Sequence, residues 1–268
     1  MMKIIWCSDI HLNFLQDEGV KAFLDQMADE NPDCILIGGD VGEAHNIAGY
    51  LQLIAQQLNV PVYFVLGNHD FYRSGISKVR KEVEALCEKT ENLTYLSSKN
   101  AVALFDNIGL VGHDGWGDAR YGSWETTSVR LNDFVFIEEL QLLRRQERIE
   151  VLRALGDEAA EHIRNVLPQA LENFQHVIIL THVPPWPEAC WHGGAVTSDK
   201  YLPFFACKAV GEAIFQIAGA YPHRNIICLC GHTHFPAEAQ ILPNLRVIAA
   251  SSDYHNPQIE LLPEFESV

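Results

Sequence analysis

Nearly continuous apolar runs alternate with amphipathic stretches through the first third of the chain. Residues 3–7, 34–37 and 60–66 are such runs, the pattern of short strands buried on both faces. Between and after them, apolar residues recur every three or four positions. Val20, Phe23, Leu24 and Met27 form one set, Ile47, Tyr50, Leu51, Ile54 and Leu58 a second, and Ile76, Val79, Val83 and Leu86 a third. That spacing predicts three amphipathic helices, the first ended by Asn31-Pro32. Strand–helix alternation predicts parallel strands joined by right-handed crossovers.

The pattern then changes. Residues 93–96, 101–105 and 108–112 read as short strands, the last two joined by a hairpin turn at Asp106-Asn107. A loop rich in Gly and aromatics follows over residues 113–121 and runs on to Trp124. From about residue 136 to 174 a stripe of Leu140, Leu143, Ile149, Leu152, Leu155, Ala159, Ile163 and Val166 predicts helix, which Pro168 ends or kinks. Residues 176–180 and 226–230 are two more buried strands. A second loop rich in Trp and Gly, then a helix near 207–218, lie between them. Residues 239–242 and 245–250 suit a hairpin turning at Pro243-Asn244. With no repeat, linker or low-complexity tract, the simplest organisation is a single domain over 1–268, with 113–170 a loop and helical elaboration over the site.

Composition narrows the class. The formal charge is −16, from 19 basic and 35 acidic residues, which argues against long nucleic acids and anionic membranes as partners. Seven cysteines without framework spacing, including the C-x-C of Cys228 and Cys230, fit a reducing, cytoplasmic setting. The apolar run at the N-terminus is too short for a signal peptide. No run of about 18 apolar residues is present to span a membrane. The sequence carries no sign of an oligomeric state.

The chemistry gathers where the apolar runs stop. Five of them end in metal-capable clusters: Asp9 and His11; Asp40; Asn68, His69 and Asp70; His182; and His232 with His234. In open α/β sheets the C-terminal ends of strands are the edge where ligands bind. Each D-x-H or H-x-H pair can aim two donors at one point if its backbone is extended. Two Asp, four His and one Asn exceed what one mononuclear site needs, and they suffice for two metals sharing a carboxylate. A mixed nitrogen and oxygen set without thiolate suits Mn²⁺, Fe²⁺/Fe³⁺ or Zn²⁺.

The ordered series Asp9-x-His11, Gly39-Asp40, Gly67-Asn68-His69-Asp70, Thr181-His182 and Gly231-His232-x-His234 resembles the calcineurin-like metallophosphoesterase superfamily. The resemblance spans the chain to about Ala250. It implies a four-layer α/β/β/α sandwich of two mixed β-sheets flanked by helices, with a dinuclear site at its rim. It implies that Asp9, His11 and His234 hold one divalent ion, that Asn68, His182 and His232 hold another, and that Asp40 bridges. In-line attack on phosphorus by a metal-bridging hydroxide is the implied mechanism. His69 would stabilise the transition state or protonate the leaving oxygen, and Asp70 would orient His69.

The substrate is less constrained. Protein phosphatases of this fold resemble R-G-N-H-E at the central motif, whereas this chain has Leu66 in place of Arg and Asp70 in place of Glu. A small phosphodiester or nucleotide is the expectation. The alternatives are a phosphomonoesterase, including a protein phosphatase, and a non-catalytic scaffold of the same fold. Arg73, His45, His113, Trp116 and His192 are candidate substrate contacts. Trp116, Tyr121, Trp124, Trp186 and Trp191 are placed either to stack on a base or to pack the cap.

Overall fold

The computed structural model describes residues 3–105, 107–263 and 265. Four parallel strands come first: β1 (Ile4–Cys7), β2 (Cys34–Ile37), β3 (Val62–Phe64) and β4 (Leu93–Tyr95), connected through α1 (Asp17–Asp29), α2 (Ile47–Leu58) and α3 (Ile76–Cys87). The second half supplies β5 (Val102–Phe105), β6 (Ile108–His113), the short α4 (Asp133–Phe136), the long α5 (Arg145–Asn173) and β7 (His176–Thr181). It continues with a two-stranded β8 (Trp191–His192) and β9 (Ala195–Val196), α6 (Leu202–Phe205), α7 (Lys208–Ala220), β10 (Asn225–Cys230), β11 (Ala237–Leu242), β12 (Leu245–Ala249) and β13 (Glu260–Leu261).

The strands form two mixed sheets. One has the order β13-β1-β2-β3-β4, with β13 antiparallel at its edge. The other has the order β11-β12-β10-β7-β6-β5, parallel at its centre and antiparallel at both margins. Alternation along β1 and β2 divides their side chains between two cores. Ile5, Cys7, Ile35 and Ile37 face Phe23, Leu24, Leu51, Ile54 and Val79 of the helices. Ile4, Trp6, Cys34 and Leu36 face Ile178, Leu180, Ile227 and Leu229 of the other sheet. The opposite face of that sheet, Val177, Ile179, Ile226 and Cys228, packs on Ala159, Ile163, Val166, Val210 and Ala213. The result is the expected helix, sheet, sheet, helix order. Because every central strand is buried on both faces, its sequence reads as an unbroken apolar run.

Two expectations for the elaboration are corrected. Residues 137–144 are not helical, so Leu140 and Leu143 stand outside α5. Their backbone is recruited elsewhere: Arg73 N–H donates to Phe136 O (2.7 Å), Glu138 N–H donates to Ser74 O (3.0 Å), and Ser74 and Ile137 form a parallel bridge. Glu139 also accepts from Ile76 N–H (2.9 Å), supplying the start of α3 with a carboxylate. Nor does Pro168 end α5, which continues to Asn173. A proline inside a helix costs about 3 kcal/mol, and burial of Val166, Leu167, Ala170 and Leu171 around it offsets that cost. The β5–β6 hairpin is present, while Asp106 of its turn lies outside the described residues. Among the described residues no helix is long and apolar enough to cross a membrane.

Candidate metal centre

The C-terminal ends of β1, β2, β3, β7 and β10 converge at one edge of the sandwich. Each gives way to a tight turn carrying candidate ligands. Among the described residues ten non-glycine positions have positive φ, and five of them are Asp9 (55°), His11 (40°), Asp40 (53°), His232 (71°) and His234 (60°). Left-handed backbone at a non-glycine residue is held only where the surroundings over-determine it, and such residues cluster at functional sites. The extended D-x-H and H-x-H backbone expected from the sequence is therefore corrected. The donors converge because left-handed turns fold them inward. Gly67 is part of the same packing, since a Cβ there would collide with Asp40 Oδ1.

The side chains form two groups that meet at Asp40. In one, the ligand atoms of Asp9, His11, Asp40 and His234 all lie within 4.8 Å of one another. His11 Nε2 and His234 Nε2 are 3.3 Å apart, and His234 Nε2 is 3.3 Å from Asp9 Oδ1. In the other, Asn68 Oδ1 is 3.1 Å from His182 Nε2 and 3.0 Å from His232 Nδ1, and those two nitrogens are 3.2 Å apart. Asp40 Oδ2 stands between the groups, 3.7 Å from His11 Nε2 and 3.6 Å from His182 Nε2. Its Oδ1 accepts the His69 backbone N–H at 2.8 Å.

Outer contacts set which nitrogen faces inward. His182 Nδ1–H donates to Gly38 O (2.9 Å) and His232 Nε2–H donates to Phe204 O (3.2 Å). Each arrangement leaves the inward nitrogen with a free lone pair. Burial holds His11 down to about 2 and His232 to about 3, so both imidazoles are neutral and able to ligate. Burial alone would raise Asp9, but His182, His234 and His11 around it hold it well below the usual carboxylate range. Burial, then Asp9 and Asp70, push Asp40 far above that range, the mark of a carboxylate crowded by like charge. A cation is the partner that would relieve such crowding. Donors about 2.1 Å from a common ion stand about 3.0–3.4 Å apart, which the second group and the His11–His234 pair match.

Asp70 is corrected in its expected role. Its carboxylate accepts four backbone N–H groups, from Asp40 (2.9 Å), Val41 (2.9 Å), Gly42 (2.8 Å) and Gly67 (2.9 Å). With both oxygens so engaged, it shapes the Asp40 and Gly67 turns rather than holding the His69 ring. His69 instead stacks on Tyr72, with centroids 4.3 Å apart, and meets the edge of His11 at 4.7 Å.

A cavity of about 430 Å³ opens above the cluster. Asp40, Asn68, His69, His232 and His234 floor it, and Tyr72, Tyr201, Phe205, Phe235 and Tyr254 supply aromatic walls. Of the five candidate substrate contacts, His192 lines this cavity. Arg73 is paired with Glu43 and lies over Phe136, at 5.2 Å from its ring centre, and His45 lies in the open beside the same Glu43. His113 is buried against His162, and Trp116 is buried against Phe71. Trp124 and Trp186 are likewise buried. Trp116 and Trp124 lie in the core of the first sheet and Trp186 in the core under α5 and α7, so these three pack and do not stack on a base. Tyr254, 4.6 Å from the His11 ring, was missed in the sequence because its Ser-Asp-Tyr-His setting resembles any polar loop.

Asp114 was missed too. It is buried and accepts from Leu66 N–H (2.8 Å), Arg80 Nε (2.9 Å), Tyr95 O–H (2.6 Å) and Ser97 O–H (2.8 Å), while its backbone O accepts from His182 N–H (3.1 Å). It therefore ties the Asn68 turn to the His182 turn. Burial alone would raise its carboxyl, but Arg80, His113 and the donors hold it below the ordinary value. Arg80→Met is expected to cost about 3–5 kcal/mol in denaturant unfolding at neutral pH, because it leaves a buried charge unpaired. Since the folded value is depressed, the pair's contribution is full above about pH 4 and is lost as pH falls through the folded value. The gap between the two proteins should close in acid, and a gap constant down to pH 3 would contradict this account.

The sequence matches the family model for calcineurin-like phosphoesterases over residues 2–236. The chain belongs to the calcineurin-like phosphoesterase family. It is a metal-dependent phosphoester hydrolase. No curated protein matches it in sequence. Among solved structures, this phosphoesterase shares its fold with a phosphopantetheinyl hydrolase from Mycobacterium tuberculosis, at 15% identity, 93% of this chain and 89% of that one, TM-score 0.64. It also resembles a dimetal phosphatase from Danio rerio, at 14% identity, 93% and 87% coverage, TM-score 0.57.

Proposed function

We propose that this phosphoesterase hydrolyses a small phosphodiester or nucleotide at a dinuclear centre. The observation that carries the reading is the pair of donor groups facing each other across Asp40 Oδ2. Asp9, His11 and His234 would hold one divalent ion, Asn68, His182 and His232 the other, and Asp40 both. Mn²⁺, Fe or Zn²⁺ suits the mixed donor set. When bound, such a pair lowers the pKa of water and neutralises phosphoryl oxygens.

The remaining work falls to side chains. His69 lines the cavity beside both donor groups, where its imidazolium form would pass a proton to the leaving oxygen and end as neutral imidazole. Burial, then His182, lower its pKa to about 3, so the free ring is neutral. The acid role requires that the negative charge of a bound phosphoester raise that value enough to form the imidazolium. The aromatic walls accept the organic group on phosphorus and exclude water from it. Those walls support an ester with a substantial apolar or planar substituent, and so a diester or nucleotide over a bare phosphate. We read the chain as one domain in which the 113–170 elaboration braces the metal turns. Seven unpaired cysteines, six of them buried, fit a reducing compartment such as the cytoplasm.

The test is turnover of bis-p-nitrophenyl phosphate beside p-nitrophenyl phosphate with Mn²⁺, before and after chelation. The expected result is chelator-sensitive hydrolysis that favours the diester. A monoester preference overturns the diester assignment, and turnover that survives full removal of metal overturns the mechanism.

A further inference from the structure

Asp133 lies 65 residues from the central motif, in no recognisable signature, yet its side chain reaches the floor of the metal site. It is buried at the start of α4 and lines the cavity. Its Oδ1 accepts Asn68 Nδ2–H at 2.9 Å and Tyr72 O–H at 2.7 Å. The Asn68 Nδ2–H also reaches Tyr72 Oη at 3.4 Å, so Asp133 is the nearer of the amide's two acceptors. An asparagine amide carries a carbonyl and an NH₂ on nearly equal arms, and only the carbonyl can ligate a cation. An acceptor on the NH₂ arm turns Asn68 Oδ1 toward His182 Nε2 and His232 Nδ1. A donor at that place would turn it away. The bond from Tyr72 O–H to Asp133 anchors Tyr72, whose ring stacks on His69.

We propose that Asp133 is a positioning residue for both halves of the reaction centre: it orients the Asn68 amide for its metal, and through Tyr72 it sets the plane of His69. The segment around α4 is then part of the metal site and not a lid over it. This rests on the assignment of Asn68 as a ligand. The role expected of Asp70 toward His69 falls to Asp133 and Tyr72, because Asp70 is occupied by four backbone donors.

Calorimetric titration of the metal-free chain with Mn²⁺ tests this without any turnover. The parent should bind two ions. Asp133→Ala should weaken one of the two sites about 10- to 100-fold and spare the other, the usual loss when the partner of a metal ligand is removed. Asp133→Asn keeps an acceptor oxygen in the same place and should retain both sites. If the Ala variant does not melt cooperatively, Asp133→Ser, whose hydroxyl is too short to reach Asn68, serves in its place. At the Asn68 amide, Tyr72→Phe removes only the longer contact, at 3.4 Å. It should therefore change metal affinity far less than Asp133→Ala while lowering kcat with little change in KM. Parent-like binding by the Ala or Ser variant would overturn the proposal. So would loss of a site in the Asn variant, which would make charge, and not orientation, the operative property. A parent that binds fewer than two ions would instead refute the dinuclear assignment itself.

Discussion

Asp40→Asn is expected to lower kcat on the order of 10³-fold and to reduce bound metal from two ions per chain toward one. Asp40 is the residue whose loss touches both donor groups, since Oδ2 stands 3.7 Å from His11 Nε2 and 3.6 Å from His182 Nε2. An amide at that position presents one oxygen and no charge, so it cannot neutralise two cations. Metal assistance contributes several kcal/mol to such reactions, and about 4 kcal/mol corresponds to three powers of ten in rate. The His69 N–H that donates to Oδ1 can still donate to an Asn carbonyl, so the turn itself should survive. Elemental analysis beside steady-state kinetics separates the possibilities. Two retained ions with near-parent kcat would remove Asp40 from the bridging position.

His69→Ala should behave in the opposite way toward metal. The ring lies outside both donor groups, so two ions should still bind. The cost should fall on substrates whose leaving oxygen must be protonated. For those, loss of a positioned proton donor is worth about 10²- to 10⁴-fold, whereas p-nitrophenolate departs as a stable anion and should lose about tenfold or less. Equal losses on the two classes of leaving group would mean that His69 stabilises charge on phosphorus and gives no proton to the departing oxygen. Reduced metal content would mean that it ligates.

The two variants probe different layers of one construction. Asp9, His11, Asp40, His232 and His234 sit at strained, left-handed positions at strand ends. The sheets that hold them are among the most deeply buried parts of the chain, with Ile5, Trp6, Ile35, Leu36 and Ile37 fully enclosed. A rigid double sheet is what lets short turns carry that strain. Bonds from the elaboration then brace the turns from outside, through Asp114 to Leu66 and through Asp133 to Asn68.

Much of this was legible before any fold was known, and the reason is local. A strand buried on both faces must be apolar at every position, so β1, β2, β3, β7 and β10 announced themselves. The polar cluster after each followed in the same short window. The order of those clusters sufficed for the family, the layered sandwich and the identity of the seven residues that meet at one edge.

Other features depend on contacts that no local window contains. His11 and His234 are 223 residues apart, and only assembly of both sheets brings their nitrogens to 3.3 Å. Leu140 has helical spacing, yet pairing of the neighbouring backbone with the Arg73–Ser74 turn draws it out of the helix. Asp70 is adjacent to His69 in sequence, but four backbone N–H groups from two turns capture its carboxylate. Asp133 carries no signature because its partners, Asn68 and Tyr72, come from another element. Periodicity and strand-end chemistry are written in neighbouring residues, and the sequence alone determined them. Which carboxylate serves which amide, imidazole or backbone turn was decided by tertiary structure, because a hydrogen bond is settled by position in space and is blind to position along the chain.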